Sequence, residues 1–176
     1  MQFVPWQRLA NWKCIACGDC CRFYSVVLSF PEWLRIVENY GIEKTTSSIN
    51  RLYIRRKENG LCPFLYNFAG LSVCGLQHMK PKACQLWPFK ILPKPQYGHA
   101  NEAAYDAFSN RFFIYADIAC RGLRFGRPTW EFTNHVLKEF IEIALGSRSV
   151  QLKTTSALVF ADSRRIFSPS YVVRRF

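Results

Sequence analysis

The stretch Cys14-Ile15-Ala16-Cys17-Gly18-Asp19-Cys20-Cys21 holds four of the chain's eight cysteines within eight residues. Gly18 and Asp19 favour a compact loop that turns tightly. A gap of two residues lets such a turn aim two thiolates at one metal, and a second gap of two residues adds a third thiolate. Cys14, Cys17 and Cys20 reproduce the C-x2-C-x2-C spacing of iron–sulfur loops, whereas zinc loops more often use paired C-x2-C units. The stretch therefore predicts a metal centre, with an iron–sulfur cluster favoured over zinc.

A remote cysteine is needed as the fourth ligand. The remaining cysteines are Cys62, Cys74, Cys84 and Cys120. In iron–sulfur loops the fourth ligand is usually followed by proline, and Cys62-Pro63 has that form. The predicted cluster ligands are therefore Cys14, Cys17, Cys20 and Cys62, with Cys74, Cys84 and Cys120 as alternatives to Cys62.

Cys21 follows Cys20 directly, and all eight cysteines are candidate metal ligands. Adjacent side chains of an extended backbone point to opposite sides, so we expect Cys20 and Cys21 to serve different metals or different roles. Eight cysteines are enough for two four-ligand sites, or for one cluster with spare thiols. Disulfides and buried structural thiols are the competing interpretations. Disulfides need an oxidising compartment, and chance burial does not explain four cysteines spaced by two, two and zero residues.

Composition indicates one small globular domain. The chain has 176 residues, of which 49% are hydrophobic and 20% charged, so we expect a hydrophobic core besides any metal. The first residues contain no long apolar run, so we expect no export signal. No stretch approaches the roughly 18–20 apolar residues of a membrane span. We therefore expect a soluble cytoplasmic protein whose thiols stay reduced.

Two helices are predicted. Ser29 to Glu32 reads as a capping box that starts a helix ending at Gly41. Its apolar face is expected to comprise Phe30, Trp33, Leu34, Val37 and Tyr40. The second helix is expected over residues 129–145 and to end at Gly146. Its apolar side would contain Phe132, Val136, Phe140 and Ala144, flanked by Leu137, Ile141 and Leu145, and its polar side His135, Lys138, Glu139 and Glu142.

Short strands are predicted around these helices. We expect strands over 22–28 and 111–118, and a hairpin in which 51–57 turns at Asn59-Gly60 into 61–66. Residues 45–50 are expected to form a loop, and residues 74–95 an irregular segment with at most one helical turn. The predicted fold is an α+β single domain with two main helices, short strands and cysteine-rich loops around a metal centre.

Three further segments resemble a known family. Cys62-Pro63-Phe64-Leu65 is similar to its C-P-F-L element, and Cys74 to Phe89 resembles its C-x-I-Y…R-P-x-x-C-x-x-x-P-F signature. Cys120-Arg121-Gly122-Leu123-Arg124-Phe125-Gly126 is similar to its C-P-G-x-G-x-G element. With Cys14 to Cys21, these segments make residues 14–126 resemble the CxxCxxCC (YkgJ-like) family of zinc- or iron-chelating domains. Two residues depart from the pattern: Lys80 stands where the family usually has arginine, and Arg121 where it usually has proline.

The resemblance implies metal binding more directly than it implies a reaction. The leading expectation is a cysteine-ligated iron–sulfur protein, with a 4Fe-4S cluster, in a redox or protein-modification role. The alternative is a non-enzymatic zinc-stapled subunit of an RNA–protein or protein assembly, anchored through its basic surface. The sequence indicates no catalytic residue, because the common nucleotide-binding and hydrolase motifs are missing.

The formal net charge of +12 suggests a polyanionic partner. We expect a cysteine-cluster domain over 1–146 and a basic, partly apolar C-terminal extension over 147–176 that is ordered and could contact RNA or a protein assembly. The extension contains Arg148, Lys153, Arg164, Arg165, Arg174 and Arg175 against Asp162 alone. Near the cysteines, His78 is a candidate ligand or supporting donor, and Lys80 is expected to lie beside the metal. His99 and His135 are expected to be solvated.

Overall fold

The structure is a computed structural model that describes residues 2–68 and 70–151. Its strands are β1 (Phe3–Pro5), β2 (Leu9–Trp12), β3 (Val27–Leu28), β4 (Thr45–Ser48), β5 (Arg51–Ile54), β6 (Leu65–Phe68), β7 (Leu71–Cys74), β8 (Phe89–Leu92), β9 (Ala104–Ala107), β10 (Asn110–Asp117) and β11 (Leu123–Phe125). Its α-helices are α1 (Asp19–Phe23), α2 (Phe30–Tyr40), α3 (Lys82–Gln85), α4 (Ala100–Ala103) and α5 (Leu137–Leu145). The paired strands are antiparallel, and α2 and α5 are the longest of these helices, so the predicted α+β single-domain class is confirmed.

The largest sheet is built on β10. This strand pairs with β1, β8 and β9. The apolar run that predicted a strand over 111–118 forms most of β10 and accounts for its buried side chains. Phe132, Phe140 and Ile141, around and within α5, are fully buried in the core beside it. We call this the first core; its buried members are Trp6, Leu9, Trp12, Phe89, Phe112, Ile114, Ala116, Phe132, Val136, Leu137, Phe140 and Ile141.

A second, smaller core lies among the middle segments of the chain. It is covered by the three-stranded sheet β3-β5-β4 and by the hairpin β6-β7. We call it the second core; its buried members are Val26, Leu28, Ile36, Ile54, Cys62, Phe64, Leu65 and Leu76. Because a core of this size buries little apolar surface, additional cross-links between its elements have much to contribute to stability.

Helix α2 begins and ends where the sequence predicts. The Ser29 N–H donates to Glu32 Oε2 at 2.8 Å, and Gly41 follows the last helical residue with φ of 88°. The predicted apolar face is wrong in part, because Phe30 is 64% exposed while Ile36 is 1% exposed. The helix is turned so that Trp33, Ile36 and Tyr40 pack on the second core, and the Trp33 Nε1–H donates to the Thr45 hydroxyl.

The second predicted helix contains a π-helical turn over Phe132–Val136 before α5. A turn closed by i→i+5 hydrogen bonds takes one residue more than an α-helical turn, so the residues after it are rotated about the axis. Leu137, Phe140 and Ile141 are buried as predicted, whereas Glu139 is buried and Leu145 is 50% exposed, opposite to the predicted faces. Gly146 ends the helix with φ of 81°, as predicted.

Other local predictions are wrong. Strand β5 pairs with β3 and β4 instead of with residues 61–66, and the expected loop 45–50 contains β4. The predicted strand over 22–28 shrinks to β3, because α1 extends to Phe23. The segment 74–95 contains the strand β8 besides the short helix α3, so its prediction as irregular is wrong at β8. No helix in the described part of the chain has the length and apolar character that a membrane crossing requires.

Candidate metal centre

All eight cysteines line one cavity, of about 70 Å³. Cys14 and Cys120 pack against the first core, whereas Cys21, Cys62, Cys74 and Cys84 belong to or pack against the second core. The cavity therefore lies where the two cores meet. Its lining also includes Trp12, Lys80 and Trp87. All eight cysteines are free thiols.

The loop that carries Cys14 and Cys17 is held in an unusual backbone conformation. Ala16 and Gly18 have φ of 52° and 77°, in the region that favours glycine. The Ser72 N–H donates to the Ala16 carbonyl at 2.8 Å, which ties the loop to β7. A Cβ at Gly18 would lie 2.6 Å from Ser72 Oγ, so glycine is needed for this close approach.

Cys20 and Cys21 lie in α1, so the expected extended backbone at this pair is wrong. Their Sγ atoms are 3.9 Å apart. The Cys62 N–H donates to the Cys21 carbonyl at 3.0 Å, and this brings the Cys62 segment against α1. Hydrogen bonding from the Cys21 thiol lowers the pKa of Cys20 and of Cys62 to about 7 and raises the pKa of Cys21 itself. Because the Cys21 thiol has one hydrogen to donate, it favours the thiolate of Cys20 or of Cys62 at any one time, and the thiolate is the form that binds metal.

Cys120 lies beside the loop of Cys14 and Cys17. Strand β2 leads into that loop, and β11 follows Cys120; the two strands pair with Trp12 opposite Leu123. The Trp12 Nε1–H donates to Cys120 Sγ at 3.4 Å. Burial raises the pKa of Cys120, and the neighbouring Cys17 and Cys14 raise it further. The β2–β11 pairing therefore brings the Cys120 thiol close to those of Cys14 and Cys17.

Lys80 supplies positive charge to the cavity, as expected from the sequence. Burial raises the pKa of Cys14, Cys74 and Cys84, and the charge of Lys80 acts in the opposite direction on all three. The Lys80 ammonium also donates to Gln151 Oε1 at 3.4 Å. A cation at this position stabilises thiolates that would otherwise be costly to bury.

The histidines lie elsewhere. His78 is exposed and is not part of the cavity lining, so the structure does not bring it to the cysteines. His135 is exposed on the helix, as expected. His99 is an exposed residue whose Nδ1 lies 3.2 Å from Glu102 Oε1. Sequence reasoning missed Trp12, Ser72 and Trp87, because nothing in their local pattern distinguishes them from ordinary strand and loop residues.

The donor chemistry and the space both fit a metal group. Thiolates are the ligands of zinc and of iron–sulfur clusters. Since about 10–15 Å³ of such space is enough for one water, a cavity of about 70 Å³ admits a group of several atoms. As the side chains stand in the described residues, no three of the His, Cys, Asp and Glu groups are arranged to hold a metal ion.

The comparisons with known proteins agree with this chemistry. No curated protein and no solved structure matches the chain significantly. A family model described as a "putative zinc- or iron-chelating domain" matches residues 13–121, a range that contains all eight cysteines and more than half of the chain. The chain belongs to the CxxCxxCC family of cysteine-containing, zinc- or iron-chelating domains.

Proposed function

We propose that the chain is an iron–sulfur protein that binds its cluster through Cys14, Cys17, Cys20 and Cys120. The observation that carries this proposal is the convergence of all eight cysteines on one cavity. A single ion is smaller than that cavity, whereas a cluster of iron and sulfide bridges thiolates over a wider space. The C-x2-C-x2-C spacing of the first three ligands favours the same occupant.

Cys120 replaces Cys62 as the fourth ligand in this proposal. The Lys13 N–H donates to the Gly122 carbonyl at 3.1 Å, so the segment after Cys120 lies directly against the residue before Cys14. Cys62 instead lies against Cys21 and in the second core. The proline after Cys62 suggested a ligand from sequence, but the spatial neighbours of Cys14 and Cys17 favour Cys120.

A bound cluster would supply one-electron chemistry, which suits a redox role in a reducing cytoplasm. Three features of this chain would favour a redox-active cluster. The Trp12 N–H points at a ligand sulfur, and Lys80 places positive charge in the cavity. Beside Cys20, a recess of about 110 Å³ is walled by Tyr24 and Trp87, whose ring centroids lie 3.9 Å apart. A small molecule bound in this recess would lie against Cys20.

Anaerobic purification with measurement of iron, zinc and acid-labile sulfide tests the proposal. We expect iron and sulfide in equal amounts and a visible charge-transfer spectrum. Cys17→Ser and Cys120→Ser should each remove the cluster bound at these four ligands, whereas His99→Ala should not change metal content. A sulfide-free protein that holds only zinc would contradict the iron–sulfur assignment and favour the zinc-stapled alternative. The RNA–protein or protein assembly of that alternative depends on arginines outside the described residues, and it stays a prediction.

A further inference from the structure

The four cysteines left over by this assignment are Cys21, Cys62, Cys74 and Cys84. Each comes from a different element: α1, the segment before β6, the end of β7, and α3. All four belong to or pack against the second core, whereas Cys14 and Cys120 pack against the first. Six of the eight cysteines are thus divided between the cores as the proposed ligand sets divide them, and Cys17 and Cys20 belong to neither core.

Backbone hydrogen bonds also connect members of this second set. Cys21 is joined to Cys62 by the hydrogen bond that the Cys62 N–H donates to the Cys21 carbonyl at 3.0 Å. The Gly75 N–H donates to the Phe64 carbonyl at 2.8 Å, so the segments that follow Cys74 and Cys62 are also held together. Cys84 interacts electrostatically with Cys74 and Cys62, and also with Cys20.

Cys20 and Cys21 form the border between the two sets. They are consecutive in α1, with Sγ atoms 3.9 Å apart. Side chains of consecutive helical residues are about a quarter-turn or more apart around the axis, so each can project toward a different group. In two-cluster ferredoxins, whose run is C-x2-C-x2-C-x3-C, the fourth cysteine binds the other cluster, although here no residue separates the third cysteine from the fourth. Cys21 is the fourth cysteine of this run.

We propose that Cys21, Cys62, Cys74 and Cys84 form a second four-thiolate metal site, separate from the site of Cys14, Cys17, Cys20 and Cys120. This inference rests on the proposed function, since both sites use thiols of one cavity. A second iron–sulfur cluster is the occupant that the shared cavity and the shared cysteine run favour. The second site also cross-links α1, β7 and α3 across the smaller core.

Metal stoichiometry of the wild-type chain tests the second site without any mutation. Two clusters of the proposed kind give about eight iron and eight sulfide per chain, and reduced protein then shows spin–spin interaction between them by electron paramagnetic resonance. Four iron, four sulfide and one zinc would keep the second site and identify its occupant as zinc. Four iron and four sulfide without zinc would overturn the second site and leave the proposed function intact.

Paired substitutions assign the ligands. Cys120→Ser and Cys17→Ser should remove about half of the iron, and Cys74→Ser and Cys84→Ser should remove the other half or the zinc. Each pair is the matched control for the other, and aromatic circular dichroism reports whether a variant keeps the first core. Loss of all metal on substitution in either pair, in a variant whose first core is folded, would overturn the division into two sites. Two zinc ions and no sulfide would keep two sites but contradict the iron–sulfur function.

Discussion

Arg121 binds the carboxylate of Asp19 with two hydrogen bonds, from Nε to Oδ2 at 2.7 Å and from Nη2 to Oδ1 at 3.1 Å. The Asp19 side chain is 13% exposed and that of Arg121 is 63% exposed. The pair joins the residue that follows Cys120 to the residue that precedes Cys20. The ion pair therefore holds the segments of these two cysteines together.

Replacing Arg121 should loosen the first site. We expect Arg121→Leu to lose metal to a chelator up to about tenfold faster than the wild type, because a side chain that positions a ligand segment is removed. The difference should shrink at high salt, since the guanidinium is exposed and its attraction is screened. Arg124→Leu is the matched control, because Arg124 is an exposed residue of β11 outside the cavity lining. Equal loss from both variants would contradict a role for the ion pair.

Gly18→Ala should damage the cysteine loop more than Gly60→Ala does. Both glycines have positive φ, 77° and 75°, so alanine at either position costs about 1–2 kcal/mol of backbone strain. Only at Gly18 does the added Cβ meet Ser72, whereas the space at Gly60 is open. We therefore expect the free energy of unfolding to fall further in Gly18→Ala, together with metal occupancy, as measured by denaturation and elemental analysis. Similar losses in the two variants would show that the Ser72 contact does not matter.

The features that the sequence predicted well are encoded by nearby residues. The capping box, Gly41 and the apolar run of β10 each act within a few positions. The proximity of Cys120 to Cys14 depends instead on pairing between β2 and β11, which are more than 100 residues apart in the chain. No local pattern reports such a pairing.

Two further predictions, for β4 and for Glu139, were wrong for local reasons. Strand β4 is Thr-Thr-Ser-Ser, which has no apolar alternation to reveal it, and it is stabilised by pairing with β5. Glu139 was predicted on the polar side because it is charged, although it lies seven residues, or about two helical turns, after the buried Phe132 and so shares its face. The expected position of Lys80 was correct because it lies between two cavity cysteines.

Lys80→Met should lower the reduction potential of the bound cluster. A nearby positive charge favours the reduced, more anionic state, so its removal should shift the potential downward by tens of millivolts, on the order expected for one charge at an effective dielectric of about 20. Lys80→Arg, which keeps the positive charge, should stay close to the wild type. Lys94→Met removes an equal charge from an exposed loop residue and should change the potential little. An unchanged potential in Lys80→Met would exclude this electrostatic role.

Glu32→Ala should destabilise the second core through two helices at once. The Glu32 carboxylate accepts from the Ser29 N–H at the start of α2 and from the Lys82 N–H at the start of α3, at 2.8 and 2.7 Å. Losing both caps should lower the free energy of unfolding by about 1–2 kcal/mol, measured by chemical denaturation. Glu38→Ala, at an exposed position of the same helix, is the control. Since α3 carries Cys84, Glu32→Ala should also lower occupancy of the proposed second site and leave the first unchanged.

Two truncations should distinguish the contribution of residues 147–151 to metal retention from that of residues 152–176. Gln151 is 3% exposed and accepts from Lys80, and Gln85 Nε2 donates to the Ser149 carbonyl at 3.3 Å. Truncation after Gly146 should keep the metal, because no cysteine is lost, but it should hasten metal loss by uncovering Lys80. Truncation after Gln151 should match the full chain in metal retention.

We expect RNA affinity to be lost on truncation after Gln151. Arg148 is paired with Glu142 at 2.7 Å, so the RNA prediction depends on Lys153, Arg164, Arg165, Arg174 and Arg175, which lie outside the described residues. Because contacts with phosphates release counterions, the full chain should bind RNA with an affinity that falls steeply as salt is raised. Both truncated forms should bind far more weakly. If truncation after Gln151 leaves RNA affinity unchanged, or if the full chain does not bind, the basic extension has no nucleic-acid role, and the cysteine cavity is then the functional feature that the chain's chemistry supports.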